Sequence, residues 1–257
     1  MSGATDNDVT IDIQKLVKHF DGQLVLDELD LQVRRGETLV IIGCSGCGKS
    51  VLLKHMIGIL KPDRGRVYVN GIDIVPLPDS QLLEVAAKFG MVFQGAALFD
   101  SLNVWENVAF SLTEHKSKMT GKQIDERVKY CLNLVGLSGT ELKNPAELSG
   151  GMRKRVGVAR AIAHQPEIIL YDEPTTGLDP VTGDTINDLI LRAQENLHAT
   201  SVAVTHDLHS AFKIGDRIAL LADGKIVAVG TPHEIWHSDE PRVQRFLRVA
   251  GTAVYKD

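Results

Sequence analysis

The sequence predicts an α/β fold whose core is a parallel sheet with helices against it, carrying an N-terminal antiparallel β subdomain and an inserted α-helical subdomain. Three observations predict it. A glycine-rich run, Gly43 to Gly48, joins a short buried strand to a helix. From Leu148 onward, helical patterns alternate with compact apolar strands, the order that builds parallel βαβ units. Between Val104 and Gly136 the spacing is helical and holds no convincing strand.

Taken in order, Thr10 to Leu16 and Val25 to Arg34 alternate apolar and polar residues, as strands of a half-buried antiparallel sheet do. Glu37 to Gly43 reads as a buried strand ending in glycine, and Lys49 to Leu60 as the helix after it. Gly65 to Val69 forms another strand, stopped by the Asn70-Gly71 turn signal. Gln81 to Lys88 has helical spacing and Phe89 to Phe93 a strand pattern; the helical subdomain then runs over about 95–160. Beyond it come the strands Ile168 to Tyr171, Ser201 to Thr205 and Arg217 to Ala222, separated by helices, with Lys225 to Val229 and a helix from Pro232 closing the domain. One domain is expected over 8–246, followed by a short tail, 247–257. No linker composition and no fixed-period repeat suggests a tandem pair.

The 257 residues can bury a sizeable core, and 44% hydrophobic with 24% charged residues excludes disordered and fibrous classes. A net charge of −5 argues against broad adhesion to nucleic acid, so no nucleic-acid partner is expected. Met1 to Asp12 is polar and acidic, without the positive start and apolar run of a secretory signal. Apolar stretches such as Thr38 to Gly43 fall far short of the roughly 20 residues that cross a bilayer. The expectation is a cytosolic chain whose membrane role is peripheral. Three cysteines are too few for a disulfide framework and suit a reducing compartment.

Gly43-Cys44-Ser45-Gly46-Cys47-Gly48-Lys49-Ser50 satisfies the G-x-x-x-x-G-K-[ST] pattern between a strand and a helix, the context this phosphate-binding loop requires. Its glycines let successive N–H groups curl inward onto phosphate oxygens, and the helix dipole behind them reinforces the anion site. Lys49 is expected to neutralise β- and γ-phosphate charge, Ser50 to offer a hydroxyl to Mg²⁺, and Val51 to complete the nucleotide set. Cys44 and Cys47 also form a C-x-x-C. With no further cysteine pair they read as structural loop residues, and a redox reading in which oxidation distorts the cradle stands beside that one.

Ile168 to Tyr171 is an apolar run ending in Asp172 and Glu173, so a buried strand delivers two acids to the carboxyl edge of a parallel sheet. Asp172 is expected to anchor Mg²⁺ through its water shell, because Mg²⁺ dehydrates reluctantly. Glu173 is expected to orient or deprotonate the attacking water. His206 ends the strand Ser201 to Thr205 and is placed to sense the γ-phosphate. To this point the residues describe a Mg²⁺-dependent P-loop NTPase, a class that includes kinases, GTPases, helicases and transporters.

Leu148-Ser149-Gly150-Gly151-Met152, at a helix start between the P-loop and the Asp172 strand, resembles the LSGGQ signature of ATP-binding-cassette ATPases over a chain segment of about Ile11 to Trp236. The resemblance implies that Ser149, Gly150 and Gly151 bind the γ-phosphate of ATP held by a second copy, so that two cassettes close head-to-tail around two ATPs. It further implies that Phe20 stacks on adenine, that Gln94 links Mg²⁺ and the attacking water to the membrane partner, and that Gly177-Leu178-Asp179 crosses the dimer interface. His206 corresponds to the family's switch histidine. The Val104 to Gly136 region corresponds to the subdomain that docks on a permease, whose cytoplasmic coupling helix enters a groove near Gln94. Met152 departs from the usual Gln and removes a side-chain donor.

That signature, with Phe93 to Leu102 and Glu106 to Phe110, resembles the cassettes of MCE-type lipid transporters, the MlaF group. The implied partners are a MlaE-like integral membrane permease and an MCE-domain substrate-binding protein. The implied function is phospholipid transport between bacterial membranes, from the cytoplasmic face of the inner membrane, with another small-molecule cargo as the alternative. Arg153, Lys154 and Arg155 read as a solvated or interface face. Arg242 to Arg248 reads as a terminal core helix, with an amphipathic partner- or membrane-gripping helix as the alternative.

Overall fold

The computed structural model describes residues 9–114 and 119–250, so the boundary expected at Asp8 and the tail after Ala250 lie outside the described residues. The described residues fall into two compact units, one formed by the chain up to Ala86 and from Thr200, the other by Ala87–Ala199. In chain order the first unit opens with β1 (Val9–Phe20), β2 (Gln23–Arg34), β3 (Thr38–Ile42), α1 (Lys49–Met56), β4 (Arg64–Val69), β5 (Ile72–Asp73) and α2 (Asp79–Ala86). The second unit holds β6 (Phe89–Val92), α3 (Val104–Glu114), α4 (Gly121–Leu134), α5 (Gly150–Ile162), β7 (Ile168–Asp172) and α6 (Pro180–Leu197). The first unit resumes with β8 (Thr200–Thr205), α7 (Leu208–Ile214), β9 (Arg217–Ala222), β10 (Lys225–Gly230), α8 (Pro232–Trp236) and α9 (Pro241–Ala250). No described helix is long and apolar enough to cross a membrane.

In the first unit, β2, β1, β4 and β5 pair in that order as an antiparallel sheet. Its turns follow from the residues: Asp21-Gly22 joins β1 to β2 and Asn70-Gly71 joins β4 to β5, with positive φ at both positions of each pair. That is the type I′ geometry whose twist matches paired strands, and Asp223-Gly224 repeats it between β9 and β10. β1 is longer than its alternating segment suggested, because bulges break the alternation at Lys15 (φ 47). Asp30 holds the bulge by accepting from Lys15 N at 2.9 Å and Nζ at 2.6 Å. Opposite it, Gly65 (φ 95) lies so close that a Cβ would strike the carbonyl oxygens of Gln14 and Lys15.

β3 and β8 are buried along their whole length, as parallel strands covered on both faces must be. β3 pairs with β8 from Thr38↔Ser201 to Ile42↔Thr205, and with β9 from Leu39↔Arg217 to Ile42↔Leu220. Glu37, just before β3, takes two bonds from Arg217 Nη1 at 3.0 and 3.3 Å, fixing the start of β3 beside β9. α1 stops at Met56 rather than Leu60, since Gly58 (φ 79) turns the chain and Pro62 follows. α9 buries Val243 and Leu247 while Arg242, Arg245 and Arg248 face out; it runs across the expected boundary at 246.

In the second unit β6 pairs in parallel with β7, from Phe89↔Ile168 to Val92↔Tyr171. Gly90 lets α5 approach β6, for a Cβ there would strike the Ala161 carbonyl. α4 starts at a capping box built by Thr120 and Gln123. The ends of α4 and α5 cap each other: Arg127 donates to the Ile162 and Ala163 carbonyls (2.8 and 2.7 Å), and Arg155 to those of Val135 and Gly136 (3.2 and 3.3 Å). Each guanidinium thus meets the negative end of the other helix.

Candidate functional site

The first unit carries the phosphate loop between β3 and α1. Gly43 has no room for a side chain, because a Cβ would lie 2.5 Å from the Leu221 carbonyl oxygen and 2.7 Å from Cys47 Sγ. Gly46 and Gly48 take φ of 78 and 103, which side chains resist. Gly48 is the N-cap of α1 and gives no side-chain cap, and the positive end of the helix dipole behind it suits an anion. This backbone fits a phosphate chain. Lys49 is 5% exposed, and its Nζ donates to the carbonyls of Gly43 (2.9 Å) and Cys44 (3.0 Å), so it lies folded along the loop it serves. Ser50 and Val51 sit half-buried in the first turn of α1.

Cys44 and Cys47 span a turn closed by Cys47 N to Cys44 O at 3.3 Å. Cys44 is exposed with Ser45; Cys47 is half-buried, and burial pushes its thiol up despite the nearby Lys49. Both line a cavity of about 440 Å³ with Arg242, Arg245 and Phe246 of α9. Phe20, at the end of β1, is 41% exposed, an open aromatic face with Lys18 Nζ 5.4 Å from its centroid. His206 is exposed at the carboxyl end of β8.

The second unit carries the acids and the signature. Asp172 ends β7 at 9% exposure and Glu173 follows at 8%. Glu173 adopts φ 48, a left-handed conformation rarely taken by a residue of its size. Its Oε2 accepts from Thr176 Oγ1 at 2.8 Å. Ser149 is the N-cap of α5, its Oγ accepting from Met152 N at 3.2 Å, which leaves Gly150 and Gly151 as the remaining donors of that turn. Gly151 abuts α6, for a Cβ there would lie 2.6 Å from Thr182 Cγ2. Asp179 caps α6 by accepting from Thr182 N at 3.0 Å. Gln94 is exposed just after β6. Near it in sequence, Phe93, Phe99, Phe110, Arg160 and His164 line a groove of about 410 Å³, with the rings of Phe99 and Phe110 4.6 Å apart.

Two residues correct or extend the sequence reading. Lys154 is not on a solvated face. It is 7% exposed, and its Nζ donates to the carbonyls of Glu173 (3.4 Å), Pro174 (2.8 Å) and Thr176. Burial pushes its pKa down, with Glu173 opposing. Arg160 went unremarked in the sequence; its Nη1 and Nη2 hold the carbonyls of Ala97 (2.7 Å) and Ala96 (2.8 Å), two successive left-handed residues. The neighbourhood of a glutamine loop is the only sequence signal near them, and it names neither.

The ABC transporter family model matches residues 26–176. The probable ribonucleotide transport ATP-binding protein mkl of Mycobacterium leprae is 41% identical over 239 residues, 93% of this chain and 69% of that protein. The intermembrane phospholipid transport system ATP-binding protein MlaF of Haemophilus influenzae is 39% identical over 242 residues, 94% of this chain and 91% of that protein. A solved dimeric post-hydrolysis ATP-binding cassette with ADP and Pi matches at a TM-score of 0.80 and 33% identity, over 86% of this chain and 98% of that one. With a glycine cradle before a buried lysine, an acid pair ending a buried strand and a serine-capped signature helix, the chain belongs to the ABC transporter family, as one of its ATP-hydrolysing subunits.

Proposed function

We propose that the chain works as a head-to-tail dimer with two ATP sites, drives a separate membrane permease resembling MlaE, and moves phospholipid between bacterial membranes with an MCE-domain partner. The observation that carries the motor reading is the serine-capped start of α5, which offers an anion site on a chain that already has a phosphate cradle of its own. One chain thus has two phosphate-binding ends, as a head-to-tail pair requires. In each site Lys49 and the N–H groups of 43–51 hold the phosphates, and Phe20 stacks on adenine. Ser149, Gly150 and Gly151 of the second copy hold the γ-phosphate from the other side. Ser50, Asp172 and Gln94 are the Mg²⁺ donors; a hydroxyl, one carboxylate and an amide suit an ion that keeps most of its waters. An ion held there would supply positive charge against the phosphates.

Glu173 orients the attacking water and takes its proton, while His206 contacts the γ-phosphate and reports its loss. The helical subdomain, about 95–160, docks on the permease through the aromatic groove beside Gln94, placing the chain peripherally on the cytoplasmic face of the inner membrane. The lipid cargo is supported by likeness to MlaF over 91% of that protein's length. A second reading, a ribonucleotide or other small-molecule cargo, is supported by the name of the mycobacterial relative.

Glu173→Gln is expected to retain ATP binding, lower turnover by at least about a hundredfold and trap an ATP-bound dimer, measured by phosphate release and gel filtration. Turnover within threefold of wild type, on the order of experimental scatter, would sink the assignment of Glu173. Affinity purification from native membranes identifies the permease. Reconstitution with labelled phospholipid and labelled ribonucleotide then decides the cargo: ATP-dependent movement of nucleotide and not of lipid overturns the phospholipid reading.

A further inference from the structure

Lys154 is placed where a cation has work other than solubility. It lies one turn into α5, five residues beyond the N-cap Ser149, about 7.5 Å along the axis. Its ammonium has three protons, and the carbonyls of Glu173, Pro174 and Thr176 converge on it as three acceptors. A single tetrahedral head satisfies three backbone oxygens at once, which the planar fork of an arginine does poorly. These carbonyls belong to the turn that sets Glu173 at φ 48 and brings Thr176 Oγ1 to its carboxylate at 2.8 Å. Without the cation the three oxygens would face one another in a buried site, a cost set against the turn's own bonds, Thr176 N to Glu173 O at 3.3 Å and Leu178 N to Thr175 O at 3.2 Å.

The same helix is locked at its start to α6. Gly151 allows contact with Thr182, whose N–H caps onto Asp179 at the end of Gly177-Leu178-Asp179. The signature, the Glu173 turn and the start of α6 are therefore joined within one unit by the first two turns of α5.

We propose that Lys154 is a positioning residue that ties the signature helix to the Glu173 turn, so that docking of Ser149 on the ATP of one site sets the hydrolytic carboxylate of the other. This rests on the reading of Glu173 as the hydrolytic carboxylate and of Ser149 as acting on the partner's nucleotide. Lys154 acts through the backbone of 173–176, to whose carbonyls its ammonium donates.

The test is steady-state ATP hydrolysis by the assembled transporter carrying Lys154→Met, Lys154→Arg, Ser149→Ala or Lys154→Met with Ser149→Ala, alongside binding of a fluorescent ATP analogue. Lys154→Met is expected to lower kcat about tenfold to a hundredfold, the cost of a mis-set group, with KM and analogue affinity held within about threefold. Lys154→Arg should recover part of that kcat, because a cation returns with imperfect geometry. The double variant should be no slower than about the slower single one, since both changes cut one line of communication. Wild-type kcat in Lys154→Met, a loss confined to KM, or losses that multiply in the double variant overturns the proposal. If Lys154→Met does not fold, Lys154→Arg carries the same cycle with the same two outcomes. Glu173→Gln separates the underlying reading: a hydrolysing Glu173→Gln refutes Glu173, whereas an inactive Glu173→Gln beside a fully active Lys154→Met refutes the tie alone.

Discussion

His55 is 1% exposed on α1, with Nδ1–H donating to the Val51 carbonyl at 2.8 Å and Nε2 meeting no partner among the described residues. A second proton would leave a charged N–H buried without an acceptor, so burial pushes its pKa down, Lys18 adds to this and Asp63 opposes it. The folded pKa lies below the unfolded value of about 6.5, so the unfolded chain binds the extra proton first. The stabilisation is therefore complete above about pH 6.5 and is lost as pH falls towards the folded pKa. Asp63 titrates lower. Bonds from Lys18 Nζ (2.9 Å) and His19 N (2.6 Å) hold its carboxyl down to about 2 against an ordinary 3.8. Its contribution is present above 3.8 and lost as pH falls towards 2. Thermal unfolding from pH 7.5 to 2 should thus show two separate declines. His55→Asn should reduce the first and Asp63→Asn the second, which Asp30, Asp125, Asp179, Glu234 and Glu240 share; identical profiles in all three proteins would refute the assignment.

Elements carry what residues cannot carry alone, and the turn after β6 is the clearest case. Ala96 (φ 62) and Ala97 (φ 45) are both left-handed, a strain of about 1–3 kcal/mol each for residues with a Cβ. Arg160, near the end of α5, offsets it through two charge-assisted bonds. Arg160→Met should therefore lower stability by about 2–4 kcal/mol in urea titration and slow permease-stimulated hydrolysis, while unstimulated hydrolysis persists. An unchanged urea midpoint would show that the turn holds itself. Nothing in the local sequence announces Arg160 or Lys154. The phosphate loop and the Asp172-Glu173 pair were legible because each is a contiguous run whose spacing carries its own geometry. The Arg153-Lys154-Arg155 cluster reads as polar surface, because what buries Lys154 is a turn about twenty residues further on. The bulge in β1 was hidden similarly: its cause, Gly65 pressed on the Gln14 and Lys15 carbonyls, lies on another strand.

At the scale of the whole molecule, the proposed head-to-tail dimer builds each of its two sites from the cradle of one copy and the signature of the other. That composition has an arithmetic consequence. A copy with Lys49→Ala keeps its signature, and a copy with Ser149→Ala keeps its cradle. Dimers of either variant alone contain no whole site. A mixed dimer contains one site with both defects and one with neither. Random pairing of equal amounts makes about half the dimers mixed, each with one working site of two, so co-expression should restore up to about a quarter of wild-type hydrolysis. Coupling through Lys154 lowers that ceiling, since the intact site then lacks the docking signal of its neighbour. Adding Lys154→Met to the Ser149→Ala copy, which supplies Glu173 to the intact site, should reduce the restored activity no further, since loss of Ser149 has already cut that copy's line to Glu173. Activity of the mixture no greater than the sum of the two parents would exclude shared sites, and a further loss on adding Lys154→Met to the Ser149→Ala copy would give Lys154 a role independent of Ser149.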